Sequence, residues 1–435
     1  MGKMIDSNIE WLGEIPVGWR LVKAKYLFQE EKARGNGNSV QLLSPTQKYG
    51  VIPQSLYQEI TGMMPTQVSD TTDLNTFKTI HNGDFCISLS SYMGGFEYST
   101  YEGVVSPAYQ VFRKKNDVPL DNAYYKLLFK SVGFIALVNM ITPQSVRVGR
   151  NTPFSKFGDS FLPVPPLEEQ KRIAVYLERK YSDLLGAIDI IEKQISVLEE
   201  LKRATITKAV LHGVRNDDVL QDSGIGWLGK INASWKNTKL KHHAERIGDG
   251  IHGTPTYTKD GEYIFVNGGN LNGDRIKYNG SEGRISASEY KKHYSCLLND
   301  HTVLIALNGA NYGNISYYNG EKILLGKSAG YITLKDSFLP RYVGYYLMSN
   351  PAKENMRLSL LGTTIPNLSL KTLNNFAIPL PPKYDQQEVV AYLDDKCNAI
   401  NGLIASKRSS IAKLEEYKEA LIYRFITGKK EVPTS

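Results

Sequence analysis

Ile9-Glu10-Trp11-Leu12-Gly13-Glu14-Ile15 lies near the start of the chain, and Ile225-Gly226-Trp227-Leu228-Gly229-Lys230-Ile231 repeats it 216 residues later. Trp19 returns as Trp235 at the same spacing. The offset persists far downstream. Pro163-Val164-Pro165-Pro166 matches Pro379-Leu380-Pro381-Pro382, and Gln170 matches Gln386. Tyr176-Leu177 matches Tyr392-Leu393, Leu198-Glu199-Glu200 matches Leu414-Glu415-Glu416, and Asn151 matches Asn367. Tryptophans and Pro-Pro pairs are rare, so they do not realign at one fixed offset by chance. The chain is two copies of one unit, residues 9–213 and 225–428.

Each copy ends in a long helical pattern. After Pro165-Pro166, the stretch from Leu167 to Leu211 has no proline and one glycine, Gly186. Leu177, Tyr181, Leu184, Ile188, Ile191, Ile195 and Leu198 alternate in steps of four and three, which is a coiled-coil heptad. The second copy places Leu393, Cys397, Ile400, Ile404, Lys407, Ile411 and Leu414 at the equivalent positions, and only Lys407 interrupts that seam. A helix of about 45 residues would run roughly 65 Å. Alone it would leave its apolar stripe in water, so the two copies are expected to pair. An antiparallel pairing would set the two globular parts at opposite ends, about a pseudo-twofold axis.

The globular parts read as sheet and loop. Phe85-Cys86-Ile87, Val104-Val105 and Tyr109-Gln110-Val111-Phe112 are short apolar runs between Gly, Ser and Asn breaks. Tyr263-Ile264-Phe265-Val266, Thr302-Val303-Leu304-Ile305 and Gly330-Tyr331-Ile332-Thr333-Leu334 follow the same pattern in the second copy. Short helices are expected at 122–130 and 339–347. The middles of the two globular parts align poorly, and Ser106–Tyr109 pairs best with Ser328–Tyr331 at a changed offset of 222. The expected fold class is α+β: two loop-rich mixed α/β domains, each followed by a long helix, the helices pairing as an antiparallel coiled coil. The boundaries expected are a first globular domain over 1–160, a helical spacer over 161–213 and a linker over 214–224. A second globular domain would cover 225–376, a second spacer 377–428 and a tail 429–435.

Charge is unevenly placed. The net charge is +8, and residues 225–376 carry 18 Lys+Arg against 11 Asp+Glu while residues 161–224 carry 9 against 11. The excess positive charge sits in the globular parts, which favours a polyanionic partner. The three cysteines, Cys86, Cys296 and Cys397, are scattered and odd in number, so neither a disulfide framework nor a zinc cluster is expected. No signal peptide and no membrane-spanning apolar run is seen, and the chain reads as soluble and cytoplasmic.

Catalytic motifs are missing. There is no Gly-x-Gly-x-x-Gly, and the Pro-Pro pairs follow Val164 and Leu380 rather than the Asp, Asn or Ser of a base-methylation motif. Gly326-Lys327-Ser328 looks like the end of a P-loop, but Glu321 stands where the first glycine is required. His242-His243 is the only adjacent histidine pair.

With the duplication, the Pro-Pro-then-helix segments and the missing catalysis together, the chain resembles the specificity subunits of type I restriction–modification systems. The matching marks are Trp11-Leu12-Gly13-x-Ile15-Pro16-x-x-Trp19, Pro165-Pro166-Leu167-Glu168-Glu169-Gln170 with Arg172-Ile173, Leu198-Glu199-Glu200-Leu201-Lys202, and Gly362-Thr363-x-x-Pro366-Asn367-Leu368-Ser369. The second copy departs at Asn232, where the family often has Pro, and at Lys383-Tyr384-Asp385 in place of Leu-Glu-Glu. The resemblance implies two target-recognition domains, each reading half of a split, asymmetric site on double-stranded DNA. It also implies helices that act as a ruler and as a dock for two DNA-adenine methyltransferase subunits and two restriction/translocase subunits. S-adenosylmethionine, ATP and Mg²⁺ would belong to those partners, leaving this chain non-catalytic and without a cofactor or metal. No membrane partner is expected.

Base reading would fall to polar side chains on Gly-rich loops in the divergent middles. In the first domain the candidates are Gln47, Lys48, Tyr49, Ser91, Tyr92, Arg147 and Arg150. In the second they are His252, Thr254, Tyr257, Asn267, Asn270, Asn308, Asn311, Tyr312 and Lys327. The stretch His252-Gly253-Thr254-Pro255 is the sharpest local signal, and a tight turn would use the same residues. The competing readings are a coiled-coil scaffold or an orphan DNA-binding protein without modification partners, and an enzyme acting on DNA through an unfamiliar site.

Overall fold

The computed structural model describes residues 3–35, 41–63, 73–89, 94–142, 152–215, 219–293, 296–359 and 367–433. Its contacts fall into two compact units. The first joins residues 1–191 to 409–435, and the second is residues 192–408. Each unit therefore takes the globular part of one repeat, the start of that repeat's own helix and the end of the other repeat's helix.

In the first unit, four antiparallel strands lie in the order Phe28–Glu31, Gln110–Lys114, Phe85–Ile87 and Phe96–Tyr98. Phe28, Phe85, Phe96 and Phe112 are fully buried. Their rings meet at short range: Phe28 and Phe112 edge-on at 5.5 Å, Phe85 and Phe112 stacked at 5.3 Å. Such contacts contribute about 0.5–1.5 kcal/mol each beyond area burial. Arg20–Lys23 pairs with Phe161–Val164, closing the start of the globular part on its end.

The second unit repeats this sheet with Ala244–Asp249, Ala329–Leu334, Thr302–Ala306 and Ile315–Tyr317 in the same order. It adds a three-stranded sheet in which Tyr263–Val266 runs parallel to Ile323–Leu325. Phe28 and Ala244 are equivalent at the shared offset of 216, and they pair with Lys114 and Leu334, which lie 220 residues apart. Past a bulge between Ala244 and Arg246, Glu31 pairs with Val111 and Ile247 with Ile332, and the separation becomes 221. The offset of 222 at Ser106–Tyr109 lies just beyond the end of this drift. Hydrogen-bond register, not residue identity, sets the correspondence along the strand.

The two long helices span Leu167–His212 and Lys383–Ile426, 46 and 44 residues. Each starts from its Pro-Pro pair and is tied down by a fully buried glutamine. Gln170 donates Nε2 to the Pro165 carbonyl at 2.8 Å and accepts from the Asp121 N–H at 2.8 Å. Gln386 donates to Pro381 at 3.0 Å and accepts from Leu339 at 2.8 Å. Within each unit the helical pieces run antiparallel. In the first, Tyr176 stacks obliquely on Phe425 at 4.8 Å while Lys418 covers Tyr181 at 5.5 Å. In the second, Lys202 reaches Asn401 and Arg408 reaches Glu199. Leu177, Ile188, Leu393, Ile400 and Ile404 are buried, and Tyr181, Leu184, Ile191, Ile195, Leu198, Ile411 and Leu414 are half-buried. Lys407, the polar break in the stripe, donates to Gln194 Oε1 at 2.6 Å.

The end of each helix enters the core of the other repeat's globular part. Ile422, Phe425 and Ile426 are buried among the aromatics of the first unit, and Tyr124 donates its hydroxyl to the Ile426 carbonyl at 2.7 Å. Ile206, Ala209, Val210 and Leu211 do the same in the second unit, where Tyr342 donates to the Val210 carbonyl at 2.9 Å. Among the described residues no single helix is long and apolar enough to cross a membrane.

Candidate nucleic-acid interface

In the second unit, four loops are stitched together around the turn Gly326-Lys327-Ser328. Ile251 bridges Gly326, and its N–H donates to the Leu325 carbonyl at 2.8 Å. Gly268 donates its N–H to Ser328 Oγ at 2.9 Å, and Leu307 donates to the Ser328 carbonyl at 2.9 Å. Asn311 Nδ2 reaches the Gly269 carbonyl at 3.4 Å. Glycine is required at position 250, because a Cβ there would stand 2.1 Å from the Leu325 carbonyl oxygen. These contacts gather His252, Asn267, Asn270, Asn308, Asn311 and Lys327 onto adjoining loops. Lys327 and Asn267 are exposed, and Asn308 is held half-buried by a bridge to Asn367.

Two carboxylates hold the loops in shape from within. Glu282 accepts from the N–H groups of Asn279 and Gly280 and from Asn270 Nδ2. The Asn279 N–H, first among these, holds its pKa below the ordinary value. Glu289 accepts from the Thr256 N–H at 2.9 Å and pairs with Lys292, and those donors pull it down to about 2. Both stay ionised at neutral pH and anchor backbone rather than face solvent ligands. His252 donates Nε2–H to Asp249 Oδ2, 2.9 Å away.

The remaining candidates are placed differently. Thr254 and Tyr257 lie on the exposed stretch that follows, where Thr258 donates to the Arg284 carbonyl and the Tyr257 ring meets Phe265 at 6.0 Å. Tyr312 packs on the main core of the unit, and burial raises its phenol pKa.

In the first unit, Gln47, Lys48 and Tyr49 form the turn between the paired strands Leu43–Thr46 and Gly50–Pro53. Thr46 Oγ1 accepts from the Tyr49 N–H and donates to the Gly50 carbonyl, each at 3.0 Å. Lys48 lies 5.3 Å from the centre of the Tyr49 ring. The turn borders a cleft of about 840 Å³ also lined by Thr46, Tyr57, Ser106 and Tyr109. Ser91, Tyr92, Arg147 and Arg150 lie outside the described residues. In the same unit, Glu97 is fully buried against Lys130 at 2.6 Å, and burial pushes its carboxyl up to about 7 in spite of the lysine.

Sequence reasoning missed Ser328, Asp249, Glu282 and Glu289 in the second unit, and Thr46, Tyr57, Ser106 and Tyr109 in the first. Ser328 carried one signal: it is the partner of Ser106 in the shifted match of the two middles. Among the described residues no cluster of three or more His, Cys, Asp or Glu side chains could hold a metal ion. The chemistry on offer is amides, a lysine and backbone donors on a fixed frame, which suits recognition of a polar, anionic surface.

The MjaVIII specificity subunit of a type I restriction enzyme from Methanocaldococcus jannaschii is 27% identical over 281 residues. The match covers 62% of this chain and 62% of that relative, so it spans less than two thirds of the relative's length. A chain solved in work on complex assembly and conformational transition of the type I R-M system shares the fold, with a TM-score of 0.69 at 18% identity over 96% of this chain and 99% of that one. The family model for the type I restriction modification DNA specificity domain matches twice, over residues 16–200 and 233–413. Together the two matches cover most of the chain, one on each repeat, and the chain belongs to the type I restriction modification DNA specificity domain family.

Proposed function

We propose that this chain is the sequence-reading, non-catalytic subunit of a type I restriction–modification complex. Each unit reads one half of a bipartite, asymmetric site on double-stranded DNA. The observation that carries this reading is the gathering of Asn267, Asn308, Asn311, His252 and Lys327 on loops cross-linked by backbone hydrogen bonds, in a chain of this family. Amides can address base edges in the major groove, while lysines neutralise phosphates. The positive excess of residues 225–376 supplies sequence-independent affinity.

On this reading the paired helices fix the spacing between half-sites and offer their outer faces to the partners. Two methyltransferase subunits bring S-adenosylmethionine to adenine, and restriction subunits bring ATP and Mg²⁺ for translocation and cleavage. Half-sites read from one side of the duplex would lie on the order of 10 bp apart, centre to centre.

The test is methylome sequencing of a methylation-free host that expresses this chain with a type I modification subunit encoded beside it. A new split adenine-methylated motif that disappears without this chain is the expected result. No new motif, with both proteins soluble and co-purifying, would reject sequence-directed modification and leave a scaffold.

A further inference from the structure

We propose that Asn267 is a base-reading residue of the second unit and that the base it reads is adenine. The inference rests on the DNA-reading function proposed above and names one contact within it. Asn267 is exposed at the head of the loop Asn267-Gly268-Gly269-Asn270, and its main chain is locked. Its N–H donates to Asn270 Oδ1 at 3.0 Å, and its carbonyl accepts from the Asn270 N–H at 3.0 Å. Asn270 is in turn held by the Lys277 carbonyl at 3.0 Å and by Glu282 at 3.2 Å.

The side chain is directed as well as placed. The Gly268 N–H donates to Ser328 Oγ at 2.9 Å, so the Ser328 hydroxyl is free to point its proton at Asn267 Oδ1, 3.2 Å away. The Ser328 hydroxyl thus settles which end of the amide is oxygen. Gly326 leaves the room: a Cβ there would stand 2.3 Å from Asn267 Oδ1. The Nδ2 group has no partner among the described residues. Ser328 takes one lone pair of the oxygen, and the exposed amide offers an acceptor and a donor side by side. That pair matches the edge of adenine, accepting from N6–H and donating to N7. Guanine offers two acceptors there and cytosine a lone donor, so neither engages both ends.

Ser328 is then a positioning residue, acting through the amide it orients. Its removal should blur the preference while leaving phosphate contacts alone, and Ser328→Thr should restore it because the hydroxyl is kept.

The experiment is selection from a random double-stranded DNA library by the full-length chain, its Asn267→Ala, Asn267→Asp, Ser328→Ala and Ser328→Thr variants, each with salt dependence measured. The expected result is a split motif for the parent protein. Asn267→Ala should lower the preference for adenine at one position about tenfold or more, with the rest of the motif and the salt slope unchanged. Asn267→Asp, which can only accept, should move that position toward cytosine. A split motif that all four variants reproduce with equal strength overturns the assignment and leaves the DNA-reading function standing. No motif from the parent protein overturns that function, and the assignment with it.

Discussion

Lys327 stands exposed at the centre of the gathered loops, with the backbone on either side of it pinned by Ile251 and Leu307. A lysine so held acts as a point charge for a phosphate. Lys327→Ala should weaken DNA binding across all sequences alike and reduce the slope of log affinity against log salt by about 1, measured by titration at several salt concentrations. Glu97 makes a different prediction. Its carboxyl is raised from 4.5 to about 7, burial being the first cause. The folded state thus holds a proton that the unfolded chain has released. The stability this contributes is complete below about 4.5 and is lost as pH rises through about 7. The melting temperature of the parent protein should therefore fall across that window through this group, and Glu97→Gln should flatten the fall. An unchanged pH profile in the variant would show that Lys130 keeps the carboxylate ionised throughout.

The helices show what an element can and cannot reveal of itself. Leu393 is fully buried in the second unit's core beside Val389 and Cys397, whereas Val197 is 64% exposed. Leu393→Ala should cost about 2–5 kcal/mol, and Val197→Ala less than about 0.5 kcal/mol, read from denaturant melts. The steps of four and three from Leu177 to Leu198 made the helices legible, because burial of one stripe leaves a period in the sequence. The strands Tyr263–Val266 and Thr302–Ala306 were legible too, as β-branched and aromatic runs between glycine and asparagine breaks. The part played by Ser328 was not. It arises where Gly268 and Asn267, some 60 positions away, come to lie against it, and nothing local records that meeting. The poor match of the two middles has the same root. Insertions and a bulge moved the strand, and only the pairing of Lys114 with Phe28 and of Leu334 with Ala244 shows by how much.

At the scale of the whole molecule, the proposed ruler gives a geometric prediction. Seven residues added to each long helix extend it by about 10 Å, and the recognised half-sites should move apart by about 3 bp. Methylome sequencing reads the change, and an unaltered gap would sink the ruler. The exchange of helix ends between repeats has its own result, which concerns time. The core of the first unit includes Ile422, Phe425 and Ile426, and the unit draws on residues 409–435. During synthesis, the Phe-rich sheet is complete long before these residues exist. At ordinary translation speeds it waits on the order of tens of seconds with an apolar seat uncovered. The Tyr124 hydroxyl meanwhile lacks the Ile426 carbonyl that it finds in the finished protein. The second unit has no such delay, since Val210 is made before the Tyr342 that receives it. The half of the chain made first is thus the last to be finished, and its exposed seat is where a nascent-chain chaperone, or another copy emerging from the same messenger, would find purchase.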